Sequence, residues 1–176
     1  MPVDIVFETH AISEDNERGV ATGWLPGRLS ARGRSGAREL GERRLQDGLA
    51  VVFTSDLARA AETAAIAFAG TPVPIRADRR LRECDYGELN GASLEELAPR
   101  ARFIAVTFPG GESYRDVVER MRSFLADLVA YDGRRVLVIG LSATRWALDH
   151  LLDGRDLEAL VDAPFAWQPG WVYRMR

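Results

Sequence analysis

Val3-Asp4-Ile5-Val6-Phe7-Glu8-Thr9-His10 opens the chain as a short apolar run that gives way to polar residues. A run of this length, bounded by loop residues, suits a strand buried on both faces, the kind that parallel sheets contain. The pattern returns at residues 50–54, 72–75 and 135–140. Helical segments alternate with these runs. Ser30 is a suitable N-cap for a helix reaching about Gln46, and residues 57–68 are alanine-rich with helical period. Val117, Val118, Met121, Phe124, Leu125 and Leu128 form one stripe of a long amphipathic helix over 113–131. A short helix is expected near 94–97, another helix over 143–152, and a last strand at a sheet edge over 170–175. Strands that alternate with helices predict a three-layer α/β/α sandwich with a mainly parallel sheet. No repeat, linker or low-complexity stretch divides the chain, so residues 1–176 read as a single domain.

Composition narrows the function classes. An apolar fraction of 47% and a charged fraction of 28% match a globular protein with a sizeable core. No apolar run reaches the ~20 residues of a membrane span, and the N-terminus lacks a secretory pattern, so a cytoplasmic protein is expected. The net charge of −3 gives no general nucleic-acid footprint. Every basic residue is arginine, the side chain whose planar fork binds two phosphate oxygens at once. Cys84 is the single cysteine and has no Cys/His motif around it, so it reads as an ordinary small residue. With only two histidines beside it, no metal site is expected.

In a sheet of this kind ligands bind beyond the carboxyl ends of the strands. His10 follows the first strand, Ser55-Asp56 the second, and Leu141-Ser142 the strand at 135–140, so three distant loops are expected on one rim. Further segments complete a pattern: Asn16, Gly23-Trp24-Leu25-Pro26, Ser55-Asp56-Leu57-Ala58-Arg59-Ala60, Leu81-Arg82-Glu83-Cys84-Asp85-Tyr86-Gly87, and Phe108-Pro109-Gly110-Gly111-Glu112-Ser113. In order and spacing the chain resembles the histidine phosphatase superfamily, with its phosphoglycerate mutase-like fold, over nearly its whole length. That resemblance implies His10 as the phosphorylated nucleophile and Arg59 as the phosphate-binding guanidinium. It implies Glu83 as general acid and then base, its task requiring burial to raise its pKa. No cofactor is implied, and the expected partner is a small phosphorylated or anionic molecule.

Two departures bear on activity. The family's Arg-His-Gly reads Thr9-His10-Ala11 here, and Leu141 stands where a second histidine is expected. Thr9, Ser13, Asn16, Ser142 and Arg145 are the candidates to supply the missing phosphate contacts, with backbone N–H groups at 142–144 adding a helix terminus. Glu112 is expected to cap the helix that follows it, and His150 to be structural. The aromatics Phe165, Trp167, Trp171 and Tyr173 read as core packing and strand pairing, while Trp24 and Trp146 lie closer to the rim. The expected function is a weakened or altered phosphomonoesterase. A catalytically silent ligand- or partner-binding protein and acid–base chemistry on a substrate without phosphate stay open as alternatives. Oligomeric state is not legible in the sequence.

Overall fold

The computed structural model describes residues 1–176. Five strands, β1 (Val3–Thr9), β2 (Leu49–Thr54), β3 (Ile75–Ala77), β4 (Arg135–Gly140) and β5 (Trp171–Met175), form one sheet in the order β3-β2-β4-β1-β5. The first four are parallel, and β5 pairs antiparallel with β1 at the edge. Alternation along the strands divides the core. Ile5, Phe7, Val51, Phe53, Val136 and Val138 face the larger cluster, which holds α4 (Tyr114–Asp127) and α5 (Ser142–Asp153). Val6, Val52, Leu137 and Ile139 face the smaller one, closed by Leu40 of α2 (Ala31–Arg44) and by Ala60 and Ala64 of α3 (Ala58–Ala67). The result is the three-layer, mainly parallel architecture expected.

Several boundaries moved for identifiable reasons. The strand expected at 72–75 is instead Ile75–Ala77, because Pro72 and Pro74 have no N–H for a ladder; the Pro74 carbonyl only accepts from the Val52 N–H. The long helix ends at Asp127, and residues Leu128–Tyr131 tighten into a 3₁₀ turn. Two short helices escaped sequence reading: α1 (Glu14–Arg18), too brief to show a period, and α6 (Leu157–Val161). The C-terminal aromatics divide: Trp171 packs edge-on against Phe7 and Tyr173 is buried, but Phe165 and Trp167 are exposed, contrary to the core role expected. No helix is long and apolar enough to cross a membrane.

The order places β2, β4 and β1 side by side, so the loops after them meet at one rim. The His10 N–H donates to the Gly140 carbonyl at 3.0 Å and the Ser55 N–H to the Ile139 carbonyl at 3.1 Å, which carries the ladder just past the strand ends.

Candidate active site

His10 is half-buried at the crest of β1. Its Nδ1 lies 2.6 Å from the Ala11 carbonyl oxygen. A carbonyl only accepts, so the Nδ1 proton donates and the lone pair of the neutral ring resides on Nε2. Burial, and after it the charge of Arg59, lower the pKa of the ring to about 3, so it is neutral near pH 7. The loop is pinned from α3: the Ala11 N–H donates to Thr63 Oγ1 at 3.0 Å, and that hydroxyl donates to the Arg59 carbonyl at 2.7 Å. Thr63 was not singled out from sequence; it lies one helical turn after Arg59, and only the packed structure joins it to Ala11.

Arg59 sits in the first turn of α3 with 3% of its surface exposed. Nη2 donates to the Gly23 carbonyl at 2.9 Å, while Nη1 is buried with no partner. Burial lowers its pKa, and Glu83, Tyr86 and Asp15, in that order, oppose the shift. None of them forms an ion pair with it. A buried guanidinium with an unused N–H edge is prepared for an anion, since an unmatched buried donor is costly.

Glu83 is buried in the loop after β3. Its Oε1 accepts from the Cys84 N–H at 2.8 Å and from the Ala143 N–H at 3.1 Å, and Oε2 accepts nothing from the protein. Ala143 lies in the first turn of α5, so the carboxylate occupies the positive end of that helix. Arg120 of α4 braces the loop by donating to the carbonyls of Arg80, Arg82 and Glu83, and it pairs in two-pronged fashion with Glu112. Glu112 also accepts the Asp85 N–H, whereas the capping of α4 expected of it falls to Ser113 and Asp116. Trp24 Nε1 donates to the Glu83 carbonyl at 2.7 Å, and Arg82, itself bound to Asp56, lies over the Trp24 ring at 4.7 Å. Arg120 was invisible in sequence as a site element because it stands 37 positions from Glu83.

The remaining candidates fare unequally. Leu141 is 2% exposed and opens α5, where Thr144 Oγ1 accepts its N–H. Thr9 and Ser142 are half-buried at the rim, and neither hydroxyl has a hydrogen bond within the protein. Ser13 and Asn16 cap α1 reciprocally, Ser13 Oγ accepting the Asn16 N–H and Asn16 Oδ1 accepting the Ser13 N–H, and Ser13 is fully buried. Arg145 pairs with buried Asp149 at 2.9 Å and lies over the Trp171 ring at 4.9 Å. His150 bonds the Arg155 carbonyl through Nδ1, and Cys84 is buried with its thiol pKa pushed up, chiefly by burial.

Residues 5–171 match the histidine phosphatase superfamily (branch 1). A 2,3-bisphosphoglycerate-dependent phosphoglycerate mutase of Methylobacterium radiotolerans is 33% identical over 188 aligned residues, spanning 97% of this chain and 89% of the mutase. Among solved structures, Bacillus stearothermophilus YhfR superposes with a TM-score of 0.85 at 25% identity, covering 97% of this chain and 90% of that one. A mycobacterial glucosyl-3-phosphoglycerate phosphatase, solved in complex with VO3, superposes at 0.78 with 29% identity, covering 89% and 85%.

Proposed function

The chain belongs to the histidine phosphatase superfamily, and from that premise we propose that it is a phosphomonoesterase acting through His10, with turnover lowered at Thr9 and Leu141. The observation that carries the proposal is the tautomer of His10: the Nδ1–H to the Ala11 carbonyl leaves Nε2 with its lone pair, beside a guanidinium with a free edge.

In this reading Nε2 attacks phosphorus while the ester P–O bond breaks, and the leaving oxygen takes a proton from the carboxylic acid form of Glu83. The ionised Glu83 then takes a proton from water, whose oxygen attacks phosphorus as the P–N bond breaks. Inorganic phosphate leaves, and neutral His10 and protonated Glu83 are restored. Arg59 Nη1 meets the phosphoryl oxygens, where charge redistributes. The Thr9 and Ser142 hydroxyls, both half-buried at the rim, stand in for the missing arginine and histidine.

The test is phosphate release from a panel of small phosphomonoesters, with acid-stable and acid-labile phosphoenzyme trapped on quenching. Wild-type release accompanied by an acid-labile phosphoenzyme, both lost in His10→Ala, is the expected result. Release that persists in His10→Ala overturns the role of His10. The curated relatives carry mutase names, so the fate of the phosphoryl group is followed as well: return to a second hydroxyl rather than to water replaces the hydrolase reading by a transferase one.

A second reading rests on Arg145. With that guanidinium committed to Asp149 and Leu141 apolar, the wall from β4 offers a phosphate no cationic side chain. A binding protein that holds a phosphorylated ligand without turning it over fits this arrangement. Tight orthovanadate binding with no release from any ester distinguishes it.

A further inference from the structure

The short loop that carries His10 is held by parts of the chain far from it in sequence. On its near side the His10 N–H donates to the Gly140 carbonyl at 3.0 Å, and on its far side the Ile12 carbonyl accepts the Ser30 N–H at 3.1 Å. Gly33, in the first turn of α2, closes on that same carbonyl: a Cβ there would lie 1.8 Å from the Ile12 oxygen. Between these two anchors stands Ala11, whose N–H donates to Thr63 Oγ1 at 3.0 Å.

Thr63 is out of place as a packing residue. It is fully buried on α3, whose other buried residues are Arg59, Ala60 and Ala64. A hydroxyl on a helix commonly spends itself on the carbonyl one turn earlier, and Thr63 does so, donating to the Arg59 carbonyl at 2.7 Å. That bond uses its one proton and leaves lone pairs as the only capacity of the oxygen, so the rotor is fixed as an acceptor towards Ala11. The two buried polar side chains of α3 therefore serve one loop: Arg59 offers its free N–H edge, and Thr63 holds the peptide beside His10. The Ala11 carbonyl, set between the two anchors, in turn accepts the Nδ1 proton of His10 at 2.6 Å.

We propose that Thr63 is the positioning residue of the nucleophile: by holding the Ala11 peptide it aims the Ala11 carbonyl at Nδ1 and so keeps the lone pair of the His10 ring on Nε2. The inference rests on the phosphohistidine reading above and deepens it, from the identity of the nucleophile to what fixes its tautomer. Without the Thr63 hydroxyl the Ala11 N–H has no partner, its peptide turns, and the ring exchanges its proton between the two nitrogens. The attacking geometry is then populated only part of the time.

The chain has two histidines, so ¹⁵N-histidine NMR reads each ring, and His150→Gln identifies which is which. In the free wild-type protein His10 is expected to carry its proton on Nδ1 alone. Thr63→Val keeps the shape and loses the hydroxyl. It is expected to average the His10 tautomers, to leave the His150 signals in place, and to lower kcat for phosphate release about tenfold to a hundredfold. Orthovanadate affinity should stay within about threefold, because the Arg59 guanidinium is untouched. Thr63→Ser, which retains the hydroxyl, restores the wild-type tautomer and rate, and thermal melts establish that each variant is folded. A His10 ring that stays wholly Nδ1-protonated in folded Thr63→Val, or a Thr63→Ser that behaves like Thr63→Val, overturns the proposal. Should Thr63→Val not fold, hydrogen exchange on the wild type decides: the Ala11 amide is expected to be protected, and exchange at the rate of an unbonded amide overturns the proposal equally. The tautomer is read without turnover. A wild type that holds the Nδ1–H form yet neither releases phosphate nor binds orthovanadate therefore overturns the phosphatase reading and leaves the hold of Thr63 on the ring standing.

Discussion

The wall of the pocket that rises from β1 and the wall that rises from β4 are neighbours in the sheet, and each begins with the residue that follows a parallel strand. Their chemistry has diverged. On the β1 side, His10 is oriented by a backbone carbonyl, and Arg59 keeps an open N–H edge. On the β4 side, Leu141 is sealed into the core, the Ala143 N–H is given to Glu83, and Arg145 is turned to Asp149. The second wall keeps its backbone hydrogen bonds, but its strand ends on an apolar Leu141 and its arginine is paired with Asp149. A fold is kept by its apolar runs and caps, and a single buried side chain can change the reaction without disturbing either.

The sharpest way to break this comparison is to return polarity to the second wall. In Leu141→His, the new imidazole stands at the opening of α5 beside Glu83, where it can meet a phosphoryl oxygen. Phosphate release is expected to rise by roughly 10²–10³, the worth of one preorganised donor aimed at developing charge. An unchanged rate, in a variant whose melt shows a folded protein, places the defect on the first wall, at Thr9. Because residues of one site do not act independently, the gain is measured against His10→Ala in the same background.

The difference between the walls was only half legible in the sequence. The strands were readable because buried parallel strands are near-continuous apolar runs, and Ser30 announced α2 as its N-cap. His10, Arg59, Glu83 and Leu141 stood out because each follows a strand or a recognisable motif. What the sequence could not show was who claims whom. Arg145 lies four residues before Asp149, a pairing that helical spacing allows, but Trp171 and Tyr173, which complete its surroundings, come from the far end of the chain. Ser13 and Asn16 looked like free polar ligands until α1, five residues long, closed on them as its cap.

The pairing of Arg145 with Asp149 sharpens the comparison from the side of stability. Asp149 is buried and takes three partners: Arg145 at 2.9 Å, the Tyr173 hydroxyl at 2.6 Å and the largely exposed Arg155 at 3.4 Å. Arg145→Met removes the best-buried cation and leaves the carboxylate with a weak ion pair. A loss of about 2–3 kcal/mol is expected, somewhat below the usual cost of breaking a buried pair because Arg155 remains. Phosphate release per folded molecule should stay within about twofold, since no step of the chemistry passes through this side chain. Urea unfolding alongside initial rates checks both. A hundredfold fall in rate with unchanged stability returns Arg145 to the phosphate and makes the two walls more alike than the structure has them.

The smallest expected effect tests the first wall through pH. His10 has a folded-state pKa of about 3 against 6.5 for the free side chain. Below pH 6.5 the unfolded chain therefore takes up a proton that the native ring refuses, and stability falls as pH falls. Well above pH 6.5 the ring is neutral in both states and contributes no slope. Between pH 7 and pH 5 the native state loses about 2 kcal/mol from this one group by proton linkage. Comparison with His10→Gln cancels the carboxylates, which are common to both proteins. Wild type should lose stability across that interval more steeply than the variant, by the stated amount. The same neutrality predicts a kinetic signature: Nε2 keeps its lone pair through pH 5, so kcat/KM shows no acid limb near 6.5 from the nucleophile. Parallel stability profiles for wild type and His10→Gln, together with an acid limb near 6.5, would mean that His10 is solvated and cationic there, and the contrast between an ordered first wall and a disabled second one would disappear.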